Sequence, residues 1–233
     1  MYNKYGDSMK KKYYLYELNA VTLNIFAFIL LTLGFFILIL AINCGLHFNF
    51  DFDVDYKYLM ILLVPYFVLH EIFHFIGYTV NGADPKRITF GIHLEKGVLC
   101  CSCKQKVSKK CILWSLMYPF LFLGVFTLIL GFIINNSILI LLSICNIAGA
   151  AGDILMFLEF IRIKNFEYLE YDNPLGFALV SNEDLSKKKM IGMKYVSTEN
   201  KVECHIDKKI DISKKSYIYL LIWFVICLIY LFL

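Results

Sequence analysis

Five stretches of this chain are apolar over lengths that fit a lipid bilayer better than the interior of a small domain. They run near residues 20–43, 58–80, 112–134, 137–161 and 216–233. A bilayer core of about 30 Å takes roughly 20 helical residues to cross. Inside it every backbone polar group must be satisfied within the protein, so each stretch is expected to be a helix. Hydrophobic residues make up 59% of the 233, more than the near-half of a soluble domain. The expected fold class is an all-α polytopic membrane protein. It would have five transmembrane helices and one small cytoplasmic β-hairpin between helices 2 and 3.

Charge sets the expected topology. The N-terminus carries Lys4, Lys10, Lys11 and Lys12, and the first loop is acidic, with Asp51, Asp53 and Asp55. The second loop is basic, from Lys86 and Arg87 to Lys110. The fourth carries Arg162, Lys164, Lys187, Lys188, Lys189, Lys214 and Lys215. Basic loops stay in the cytoplasm, so the N-terminus is expected inside and, after five spans, the C-terminus outside. The apolar run from Ala20 to Cys44 is longer than a signal-peptide core and no small-x-small site follows, so the first span is expected to be retained. The net charge of +4 is spread along the chain. No basic, aromatic-interleaved soluble patch points to nucleic acid.

Four parts follow: 1–57 with the first span, a three-helix core at 58–162, a cytoplasmic segment at 163–215 and a last span at 216–233. In the second loop Ile88, Phe90, Ile92 and Leu94 alternate with smaller or polar residues, Glu95-Lys96-Gly97 can turn, and Val98-Leu99-Cys100 can return. That period of two is the hairpin. Ser108 suits the N-cap of the third helix. The segment 163–215 mixes short apolar pieces such as Gly176–Val180 with charges, too little for a core of its own. The eight cysteines form no disulfide framework. Cys100, Cys101, Cys103 and Cys111 lack clean zinc-ribbon spacing and are read chiefly as reduced thiols.

The second apolar run holds His70-Glu71-Ile72-Phe73-His74, the pattern H-E-x-x-H. Positions i and i+4 share a helix face, so both imidazoles can meet one metal ion, with Glu71 placed to deprotonate a water. Ionisable groups at membrane depth are costly and mark functional sites. A catalytic zinc takes three protein ligands and keeps a position open. Besides Glu71, the only acidic residues within the spans are Asp153 and Glu159, both in the fourth. Asp153 follows a run of small residues, 148–152, that allows close helix approach. Glu159 would sit at the cytoplasmic edge, which suits a ligand less. Asp172-Asn173-Pro174 reads first as a turn and is an alternative source of the third ligand.

These elements resemble the site-2 protease class of intramembrane zinc metalloproteases, where an H-E-x-x-H helix faces a helix that supplies an Asp. The chain is more closely similar to an uncharacterised bacterial family of zincin-type membrane peptidases. Pro119, Asn146, Gly152-Asp153 and Asp172-Asn173-Pro174 match that family's pattern over residues 66–180. In the site-2 class a Gly usually follows the Asp; here Gly152 precedes Asp153. The resemblance implies His70, His74 and Asp153 as zinc ligands and Glu71 as the base activating a zinc-bound water. Asn146 is then expected to steady the substrate. The hairpin edge would take an extended peptide, and Pro65 and Pro119 would loosen their helices to admit water. The expected function is zinc-dependent peptide hydrolysis near the cytoplasmic side of a bacterial plasma membrane, on a membrane-embedded or membrane-proximal substrate. The alternative is a non-catalytic metal-binding membrane protein acting as a clamp, sensor or interaction partner. With five histidines the multi-histidine di-iron hydroxylases are set aside. No repeat supports a transporter.

Overall fold

The computed structural model describes residues 11–44, 50, 56–93, 98–171, 176–204, 210–212, 214–216, 218, 219 and 222. The first loop's acidic residues, the hairpin turn at 95–97, the 172–174 turn and most of the last expected span lie outside these residues.

Helix α1 (Ala20–Asn43) starts where Asn19 Oδ1 accepts from the Val21 and Thr22 N–H groups, satisfying donors with no helical partner. Most of its apolar side chains face outward, as a lipid-facing helix requires. Helix α2 (Tyr56–Val80) carries the metal motif. Helix α3 (Lys109–Pro119) is capped by Ser108 Oγ. It runs through a π-helical segment, Phe120–Phe126, into α4 (Thr127–Ile133). Among the described residues three helices are long and apolar enough to cross a membrane: Ala20–Asn43, Lys57–Val80 and Lys109–Ile133.

The fourth expected span is two helices, α5 (Ser137–Gly149) and α6 (Ala151–Ile161), bent by 50°. Ala150 leaves helical geometry at the break (φ −76°, ψ 12°). Asp153 thereby falls in the first turn of α6, where the helix dipole favours a carboxylate.

The expectation of an all-α protein is wrong. Among the described residues eight strands form two sheets. The expected hairpin is there, β2 (Ile88–His93) against β3 (Val98–Cys103), with Ile88 opposite Cys103 and His93 opposite Val98. It gains a parallel third strand, β8 (Ile210–Ile212), on β2, which leaves β3 at an edge. The other sheet has five strands in the order β4-β5-β6-β1-β7. These are β1 (Lys12–Leu18), β4 (Val107–Ser108), β5 (Glu167–Glu170), β6 (Gly176–Ser181) and β7 (Met193–Glu199). The N-terminal strand lies inside it, antiparallel to both β6 and β7. All six residues of β6 are buried. Tyr16 and Tyr168 stack on Phe177 at 5.6 and 5.7 Å, and Phe160 of α6 meets Phe177 edge-on and Tyr168 at a tilt. The segment after α6 therefore shares a substantial core with the N-terminal strand and the helix ends.

Candidate metal centre

His70 and His74 lie one turn apart on α2 and are 6% and 8% exposed. Their Nε2 atoms are 3.2 Å apart. Asp153 Oδ2 reaches them from α6, 3.1 Å from His70 Nε2 and 3.4 Å from His74 Nε2. The other ring nitrogens decide what these short distances mean. His74 Nδ1 lies 2.9 Å from the Ser115 carbonyl, which only accepts. His70 Nδ1 lies 2.9 Å from Asn146 Oδ1, and Asn146 Nδ2 donates to the Pro119 carbonyl at 3.2 Å. That second bond fixes which end of the amide faces the ring. In its neutral form each imidazole then carries its proton on Nδ1 and turns a lone pair on Nε2 toward Asp153.

Two nitrogen lone pairs and a carboxylate oxygen, all within 3.4 Å of one another, repel unless a cation sits among them. Tetrahedral zinc with bonds of about 2.0–2.2 Å holds its ligand atoms roughly 3.3–3.6 Å apart. The observed triangle matches within a few tenths of an ångström, so the residues fit the ion. Glu71 completes the group: its ligand atom lies within 4.8 Å of those of the two histidines. Its Oε2 is buried and has no partner among the described residues.

Pro119 has a more specific place than loosening its helix. Residue 119 would normally give its N–H to the carbonyl of residue 115, and proline has none. The Ser115 carbonyl is left for His74 Nδ1, and Ser115 Oγ donates back to the His74 carbonyl at 3.1 Å. Gly77 permits this contact, because a Cβ there would lie 2.6 Å from Ser115 Cα. Such outer hydrogen bonds orient metal-binding histidines and fix their tautomers.

Asn146, expected to steady a substrate, is fully buried and spends both ends of its amide on His70 and Pro119. Glu159 lies away from the histidines and accepts from Arg162 Nη1 at 3.0 Å. The cysteines of the hairpin form no metal-binding group among the described residues. Burial pushes Cys100 and Cys103 up to about 12, so they remain thiols.

The four polar residues open onto a cavity of about 360 Å³. Its wall includes parts that motif reading left out: Leu23, Asn24 and Ala27 of α1, and Tyr168 and Glu170 of β5. The spacing of four between Ser115 and Pro119 was a usable sequence signal. Nothing local marks α1 or β5 as cavity wall.

A buried His–Glu–His group with an Asp brought from another helix is a site of the zincin type. In agreement, residues 63–168 match the family model described as "Putative zincin peptidase". This bears out the resemblance to zincin-type peptidases and points to a metallopeptidase. The matched segment holds Pro119, Asn146 and every residue of the centre. No curated protein and no solved structure matches the chain.

Proposed function

We propose that the chain is a zinc-dependent intramembrane peptidase that hydrolyses a peptide bond near the cytoplasmic face. The observation that carries this reading is the convergence of three ligand atoms, Nε2 of His70, Nε2 of His74 and Oδ2 of Asp153, beside a Glu71 oxygen with no partner among the described residues. His70, His74 and Asp153 hold the ion. Bound there, zinc supplies Lewis-acid polarisation and acidifies water. Glu71 takes a proton from the attacking water on its unpaired Oε2 and returns it to the departing amine. Asn146 and the Ser115 carbonyl keep the two imidazoles in the ligand tautomer. The edge strand β3, which lines the cavity beside Glu71, takes the substrate as an added strand. Lysine-rich loops favour an orientation with the N-terminus and the strands on the cytoplasmic side of the membrane.

A structural clamp or sensor needs ligands but no base, and the unpaired Glu71 Oε2 favours the enzyme. Two variants decide between them on purified full-length protein. Asp153→Ala, checked for folding, is expected to lose zinc, which is measured as metal per chain. Glu71→Gln is expected to keep zinc and lose peptide cleavage. A folded Asp153→Ala with full zinc, or a Glu71→Gln that cleaves like its parent, refutes the reading.

A further inference from the structure

Of the acidic side chains described in the cavity wall, Glu71 and Asp153 belong to the metal chemistry and Glu170 does not. Glu170 ends β5, two residues beyond the segment that matches the family. Tyr168 OH donates to its Oε1 at 3.0 Å. Its Oε2 is buried without a partner among the described residues. Leaving a carboxylate oxygen in that state is costly. Burial raises the Glu170 pKa, against the opposing effects of the Ser102 hydroxyl, the Lys104 ammonium and the Tyr168 hydroxyl.

The described cavity wall contains no Lys or Arg. A divalent ion at the centre would balance Glu71 and Asp153, which leaves Glu170 facing the cavity with its nearest named cation, Lys104, outside the wall, and a buried charge calls for a partner. Leu99, Cys100, Cys101 and Ser102 of β3 line the same cavity as Glu71 and Glu170. An extended chain laid on the β3 edge would therefore pass both carboxylates, presenting alternate side chains to one side.

We propose that Glu170 is a cation-binding subsite of the cavity, taking a protonated amine or guanidinium of the substrate, either a Lys or Arg side chain or a free amino terminus. This rests on the peptidase reading for its substrate, but its test does not require turnover. The full-length protein, loaded with zinc and carrying Glu71→Gln, is titrated with fluorescent peptides of Ala and Leu. One acetylated set carries a single Lys, Arg, norleucine or Glu moved along the sequence. A second set has a free amino terminus as its sole cation. Binding is read by anisotropy.

A cation at one position is expected to bind roughly tenfold more tightly than norleucine there. Adding Glu170→Gln should level the two. Adding Glu170→Lys should reverse the preference toward the Glu peptide. The acetylated and free sets separate a side chain from a terminus. Equal affinities, a preference that survives Glu170→Gln in folded protein, or no peptide binding at all overturns the proposal. Cleavage by the parent protein is scored separately. Preference without cleavage keeps the subsite and removes the peptidase reading; cleavage without preference does the reverse.

Discussion

At the scale of single residues, the centre depends on the hydrogen bonds behind its histidines. His70 Nδ1 meets Asn146 and His74 Nδ1 meets the Ser115 carbonyl, which residue 119, a proline, leaves open. Pro119→Ala restores an N–H that competes with His74 for the Ser115 carbonyl. We expect zinc affinity to fall roughly 10–100-fold in a protein that still folds, measured by competition with a chromophoric chelator. Pro65→Ala, which returns a partner to the Ile61 carbonyl instead, serves as control and is expected to bind zinc normally. Equal affinities in both variants would remove Pro119 from the support of His74. His70, Glu71 and His74 were legible because a helix puts i and i+4 on one face whatever surrounds it. Asn146 was singled out for a substrate, and in the structure its amide meets His70 and the Pro119 carbonyl. An Asn in an apolar span announces a hydrogen bond, but its spacing does not say with what.

At the scale of elements, two local irregularities shape the site. The bend at Ala150 brings Asp153 to a helix start, and Gly77 lets α2 and α3 approach closely. Gly77→Ala would gain helix propensity of about 1 kcal/mol. The added methyl meets backbone at 2.6 Å, which a flexible side chain cannot relieve, so the clash wins. We expect net destabilisation of about 1–3 kcal/mol together with weaker zinc binding, read from denaturant unfolding and the chelator assay. Wild-type stability and affinity would show that the helices can separate without disturbing Ser115. The spans and the β2–β3 hairpin were readable because their patterns are local and long. Strand β1 was not: seven residues following a lysine run, with tyrosines on both faces, look like a charged tail until β6 and β7 cover them. Those partners lie more than 150 residues away.

At the scale of the molecule, the five-stranded sheet ties the start of α1 to the segment after α6, so the chain on both sides of the helices meets at one end. Our proposed orientation puts that end in the cytoplasm and Cys44, exposed at the far end of α1, outside. A membrane-impermeant maleimide is therefore expected to label intact cells, and Cys44→Ser to abolish that labelling. Cys44 labelling seen only after permeabilisation would invert the topology and move the sheets and the cleavage site to the other side.

The sequence by itself determined the spans it shares with the structure, the hairpin, and the pairing of His70 with His74 around Glu71. Each follows from short-range quantities: the transfer free energy of consecutive side chains, a period of two, or the angular repeat of a helix. The tertiary structure decided that Asp153 rather than Glu159 meets the histidines, and that a proline's missing N–H serves His74. It also placed α1 and β5 in the cavity wall and folded the N-terminal residues into the middle of a sheet. These contacts join segments tens to more than a hundred residues apart. Packing and backbone pairing select them among many arrangements that the same local preferences allow.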